Sequence, residues 1–326
     1  MRKSIAIIIT SILVLSGCNK QQSVSDRLLN EVEKAIAINP DSASNLLKGI
    51  SSPEKLDNKT FARWCMLSGK ITDEIFNSIL PTYQLERAYD WYSSHGSPDE
   101  QVQILIYLGR SYFADGDYDK AMSIYTNALD IAEKNKLNNL TGYTYSYIGD
   151  LYGEKFMRTE AIKRYKAAAE CFKKENNTDS YACALRDVGR EYACIDSLSR
   201  ALKILTIADS VARNTKNIEV TASIDNALGN IYAMQNKYDK AEEYFLKALV
   251  GRETMPDYMA LIDLYIASGA INKAQELLSK ILQDNPKYTY SIKYLYYQIY
   301  NEEKNYKEAL TNLKEYVEIT DSIIYA

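Results

Sequence analysis

The stretch "LGRSYFADGDYDKA", Leu108–Ala121, returns 120 residues later as "LGNIYAMQNKYDKA", Leu228–Ala241. Its first half also stands twice in between, as "IGDLY" at Ile148–Tyr152 and "VGREY" at Val188–Tyr192. The glycines therefore fall at 109, 149, 189 and 229, always 40 apart. Twelve residues after each comes an alanine (121, 161, 201, 241), then a large residue (Tyr125, Tyr165, Leu205, Phe245), then a second alanine (128, 168, 208, 248). Such periodicity marks an internal repeat. Gly and Ala suit places where two helices cross closely, and the large residues fill the gaps beside them. On this reading "YDKA" opens the second helix of a unit, with Tyr118 and Tyr238 next to the turn.

The motif, apolar-Gly-x-x-Tyr followed by Ala-x-x-x-large, resembles the tetratricopeptide repeat, whose unit is a pair of antiparallel helices. The resemblance implies an all-α fold, a right-handed α-solenoid of stacked helix pairs. Four 40-residue repeats cover 101–252 and two shorter ones 253–326, where Ala274 and Ala309 continue the series at steps of 33 and 35. The six or so extra residues of the central units are expected in longer helices and in loops such as "KNKLNNLTG" (Lys134–Gly142) and "KKENNTDS" (Lys173–Ser180). Upstream, Gly69 stands 40 before Gly109 and marks a weaker first repeat over 61–100. Residues 26–60 read as a helical hairpin broken at Asn39-Pro40, with Asp41 or Ser42 as the cap. The whole of 26–326 reads as one solenoid.

The amino end has a different logic. Arg2 and Lys3 precede an apolar run, Ile5–Leu15, too short for a membrane span of about 20 residues but right for a signal-peptide core. "LSGC" at Leu15–Cys18 resembles the lipobox of bacterial lipoproteins. That implies cleavage after residue 17, acylation of Cys18, and a tether over 18–25. The chain is then held at a membrane by its N-terminal lipid alone. Asn19 after the cysteine points to the bacterial outer membrane, facing the periplasm.

Removing residues 1–17 takes away two cations and no acid, so the formal charge moves from −4 to −6. No basic stripe is present, which excludes nucleic acid as the expected partner. The lone histidine, His95 in "SSHGSP", reads as a loop or cap residue. With no P-loop, dinucleotide fingerprint, nucleophile elbow or Cys–His metal spacing, the sequence predicts no enzyme, cofactor or metal site. Cys65, Cys171, Cys183 and Cys194 read as free buried thiols, although Cys171 and Cys183 flank a turn and could meet.

The tetratricopeptide resemblance also implies a concave face built from the first helix of each unit, with inward residues three before, one after and four after the glycine. Those chosen as peptide-binding candidates are Arg110 and Phe113, Asp150, Arg186 and Arg190, Asn226 and Asn230. Arg186 and Arg190, four apart, either grip a carboxylate or pair with neighbouring acids. Asn226 and Asn230 resemble the asparagine ladder by which longer-helix repeat proteins hold an extended peptide. The alternative is a merely solvated polar groove. The lysine–asparagine set that clamps a terminal carboxylate in some such domains is absent.

Taken with its lipobox, the chain is similar to the extracytoplasmic repeat region of membrane-anchored helix-turn-helix regulators. Two functions follow as expectations: a lipid-anchored scaffold that binds a peptide or protein segment, or the sensory module of a transcriptional system whose output is absent or carried by another chain.

Overall fold

A computed structural model describes residues 24–75, 79–284 and 289–324. The signal segment, Cys18 and Pro286, also assigned to a repeat, lie outside the described residues. Those described are helical, with one short 3-10 turn at Pro53–Lys55 and no strand among them. The chain divides between Met157 and Arg158 into two compact units.

The first unit contains α1 (24–36), α2 (Pro40–Leu47), α3 (Asn58–Ile75), α4 (Thr82–His95), α5 (Pro98–Ala114), α6 (Tyr118–Lys134) and α7 (Asn138–Glu154). Residues 24 and 25, assigned to the tether, are already helical, and Ser25 is buried. The cap of α2 is Asn39 rather than Asp41 or Ser42. Its Oδ1 accepts from the Ser42 N–H at 2.9 Å, and Pro40, which lacks an N–H, takes the first helical position.

The second unit contains α8 (Arg158–Lys174), α9 (Thr178–Cys194), α10 (Leu198–Ala212), α11 (Ile218–Met234), α12 (Tyr238–Gly251), α13 (Met255–Ala267), α14 (Ile271–Asp284), α15 (Thr289–Glu302) and α16 (Tyr306–Ile324).

The 40-residue period has a simple origin. Helices α5 to α9 are each 17 residues long and separated by three-residue turns, so every helix plus turn is 20. The middle turn residue is left-handed: Gly116, Lys136, Phe156, Asn176, Asp196 and later Asn236 all have φ between 56° and 77°. The next N–H reaches back five residues, as in Leu137 to the Ala132 carbonyl and Asn177 to the Phe172 carbonyl, both 2.9 Å. This closes the freed carbonyls of each helix end.

The extra residues of the central repeats therefore lie in the helices. The loops expected at Lys134–Gly142 and Lys173–Ser180 shrink to three residues, 135–137 and 175–177. Their Asn-rich sequence serves a helix start: Asn177 caps α9 by accepting from the Ser180 N–H at 3.2 Å. The C-terminal period is shorter because α13 and α14 have 13 and 14 residues, with Gly269 in the left-handed turn position.

Packing follows the repeat. The alanines at 121, 161, 201 and 241 and at 128, 168, 208 and 248 are fully buried in the second helices, around buried Tyr125, Tyr165, Leu205 and Phe245. Three of these large residues fill the notch left by a glycine on the paired helix: Tyr125 at Gly109, Leu205 at Gly189, Phe245 at Gly229. The first repeat departs from this, because Gly69 admits the ring of Tyr107 from α5. No disulfide joins Cys65, Cys171, Cys183 or Cys194; Cys194, expected to be buried, is exposed.

Candidate functional site

In the first unit, the first helices of successive repeats, α3, α5 and α7, line a cavity of about 660 Å³. Helical spacing puts Gln103, Ile106, Tyr107 and Arg110 on one face of α5, and Tyr143 and Tyr147 on one face of α7. From α3 come Lys70 and Asp73, one and four residues after Gly69. These are the inward positions of the repeat rule, applied to the weak first repeat.

Arg110 pairs with Asp73 Oδ1, and the Tyr107 hydroxyl donates to Asp73 Oδ2 at 3.0 Å. The Arg110 guanidinium lies 5.6 Å from the Tyr147 ring centre and 6.0 Å from that of Tyr107, within cation–π range. Tyr147 stacks on Tyr125, with ring centres 5.6 Å apart and planes at 14°. Burial, opposed by the Arg110 charge, pushes the Tyr147 hydroxyl up to about 12. Burial and the Asp73 carboxylate push Tyr107 up as well. Burial alone would lower the Arg110 pKa, but Tyr147, Asp73 and Tyr107 outweigh it and the group is held above its ordinary value. The result is a charged, ordered guanidinium in an aromatic cradle.

Of the sequence candidates, Arg110 lines this cavity. Phe113 is half-buried, its ring 5.4 Å from Tyr118 at the α5–α6 corner. Asp150 is exposed on α7 and is not a lining residue. The tyrosines at 107, 143 and 147 were missed because they lie two and six residues before the glycines, outside the inward positions of the motif. Lys70 and Asp73 were legible had the rule been carried back to Gly69.

In the second unit Arg186 and Asn226 are engaged by the protein itself. Arg186 makes a two-pronged pair with its sequence neighbour Asp187, at 2.9 and 3.1 Å, and donates to Ser223 Oγ on α11 at 3.0 Å. Arg190 is 65% exposed and 3.9 Å from the same Asp187. The Asn226 amide donates to Asp257 Oδ1 at 2.8 Å, and the Asn230 Nδ2 donates back to the carbonyl and Oδ1 of Asn226, both at 3.0 Å. Asp257 is fully buried and also receives Arg252 through Nε and an Nη, both at 3.0 Å, and Thr254 Oγ1. Asn226 thus braces α11 to α13, and Asn230, exposed, bonds only within α11.

The second unit has a hollow of its own, about 740 Å³, among Leu246, Val250, Tyr258 and Leu277 of α12, α13 and α14. His95 ends α4, stacked 4.9 Å from the Trp91 ring with Nδ1 2.9 Å from the Trp91 carbonyl. Among the described residues no group of three or more His, Cys, Asp or Glu is placed to hold a metal, and no helix is long and apolar enough to cross a membrane.

Models of the tetratricopeptide repeat match residues 100–174 and 221–255, so the chain carries tetratricopeptide repeats in both units. Among solved structures, a Rap protein complexed with Competence and Sporulation Factor is 18% identical over 94% of this chain and 88% of its own, with a TM-score of 0.70. NprR in complex with its cognate peptide NprX is 15% identical, over 91% of this chain and 92% of its own, at 0.56. A tetratricopeptide repeat protein from Parabacteroides merdae is 16% identical, over 79% and 93%, at 0.56. At these identities the likeness is one of fold. No curated protein sequence matches the chain.

Proposed function

We propose that this chain is a non-catalytic, lipid-anchored scaffold of the bacterial cell envelope that holds a peptide or protein segment on the first-helix face of its repeats. The observation that carries this reading is the cavity between α3, α5 and α7, walled by tyrosines and floored by the Arg110–Asp73 pair. A hollow with aromatic walls and a few fixed polar groups suits a side chain of a bound segment. NprR, with the same kind of fold, is known in complex with a peptide. The lipobox at Leu15–Cys18 supports the anchor, and Asn19 the outer membrane.

Photo-crosslinking in intact cells tests the binding face. Benzoylphenylalanine at Gln103 should capture one contiguous segment, which then binds as a synthetic peptide. The same residue at exposed Lys203 should not capture it, and equal capture at both positions overturns the reading. For the anchor, Cys18→Ser should move the protein from the membrane to the soluble fraction. Retention in the membrane overturns it.

A further inference from the structure

The chemistry of the α3–α5–α7 cavity narrows what it takes. We infer that it is an acidic-peptide subsite, which receives a carboxylate flanked by an aromatic or long aliphatic side chain; this rests on the peptide-binding reading above. The whole chain is acidic, with a formal charge of −4, yet the cavity is lined by two cations, Lys70 and Arg110, against one carboxylate, Asp73. Both oxygens of Asp73 are already taken, Oδ1 by Arg110 and Oδ2 by the Tyr107 hydroxyl.

Lys70 has no ion pair or hydrogen bond among the described residues, and Arg110 uses one of its nitrogens, leaving the rest of its fork for an acceptor. Asp73 and the rings of Tyr107 and Tyr147 hold that fork in place, so little side-chain entropy is lost when a carboxylate docks. Of the remaining walls, Ile79, Ile106 and Tyr143 are apolar or aromatic, while Thr72 and Gln103 are polar but uncharged, so this side matches a neighbouring greasy side chain better than a second charge. An incoming carboxylate thus meets the local excess of positive charge and has an apolar bed beside it.

The test selects random dodecapeptides on phage against the intact mature chain. The expected winners carry Asp or Glu within two residues of Phe, Tyr or Leu. A synthetic winner should bind about tenfold more weakly when its acid becomes the amide, and about tenfold more weakly to Arg110→Gln. Lys70→Gln, at an exposed position, should weaken it several-fold with unchanged thermal unfolding, and the amide peptide should be indifferent to both variants. A version ending at the acid, compared as free acid and C-terminal amide, shows whether a side chain or a chain terminus is the natural source. Winners without acidic enrichment, or acidic winners that bind Lys70→Gln and Arg110→Gln as well as the parent, overturn the subsite while leaving peptide binding in place. No winners at all from a folded chain overturn peptide binding itself, and the subsite with it.

Discussion

Gly109 of α5 lies so close to the ring of Tyr125 of α6 that a Cβ placed on it would stand 2.3 Å from Tyr125 Cε1. No real side-chain carbon tolerates such an approach, so the glycine is what lets the two helices pack with the ring between them. Gly189 with Leu205 and Gly229 with Phe245 repeat the relationship, each at 2.6 Å.

Gly109→Ala sets two effects against each other. Alanine raises helix propensity by about 1 kcal/mol, while overpacking a dense crossing costs about 1–3 kcal/mol or more. Here the clash is with a buried ring that has nowhere to go, so the variant should be less stable. A lower midpoint of denaturant unfolding checks this, and Gly189→Ala and Gly229→Ala should behave alike. An unchanged or raised midpoint would mean that the notch is not tight.

The turns give the opposite test. Lys136 is left-handed at φ 58°, a conformation that costs an L-residue about 1–2 kcal/mol. Lys136→Gly removes that strain but adds unfolded-state entropy, and should stabilise by a few tenths to about 1 kcal/mol. Gly116, at φ 77° with open space around it, should lose about 1 kcal/mol as alanine, through backbone strain alone. Thermal unfolding of the two variants, moving in opposite directions, is the measurement.

Asp257 has no access to solvent and satisfies Arg252, Thr254 and Asn226 at once. Removing it as Asp257→Ala should cost about 3–5 kcal/mol, because its partners are left without an acceptor. Asn226→Ala should act on the same ledger, by about 1–2 kcal/mol. A calorimetric loss of stability without loss of peptide binding would place Asn226 in the brace; the reverse outcome would return it to a groove.

Tyr147 gives a pH signature. Its hydroxyl is raised to about 12 by burial, whereas in the unfolded chain it ionises near 10. The unfolded form then loses its proton first as pH rises, so the stability contributed by the protonated phenol is intact below pH 10 and lost towards 12. Tyr107 and Tyr125, also raised by burial, add to the same slope. Urea midpoints between pH 9 and 12 should fall less steeply for Tyr147→Phe than for the parent chain. Identical slopes would show that the Tyr147 ring is solvated.

The repeat was legible because it is written in steric necessity. The tight crossings at Gly109, Gly189 and Gly229 leave no room for a larger side chain, so the same letters recur at each. The turns were not legible in the same way. Lys136, Phe156 and Asp196 occupy positions where glycine would be easiest, and only the backbone shows them to be left-handed. The Asn-rich segments misled for a related reason, since the residues that favour loops also cap helices. Among the binding candidates, Arg110 lines the cavity, but Asn226 is taken by a buried acid 31 residues away in the chain.

By itself, the sequence determined the helix pairs, their 40-residue step and the alanine and glycine positions at each crossing, because these depend on local volume that each residue carries with it. Tertiary structure alone decided which polar groups remain available. A guanidinium or an amide is a ligand site only if no neighbour has taken it. Asp257 and Asp187 claim Asn226 and Arg186, while Lys70 and part of Arg110 are left facing a tyrosine-walled cavity.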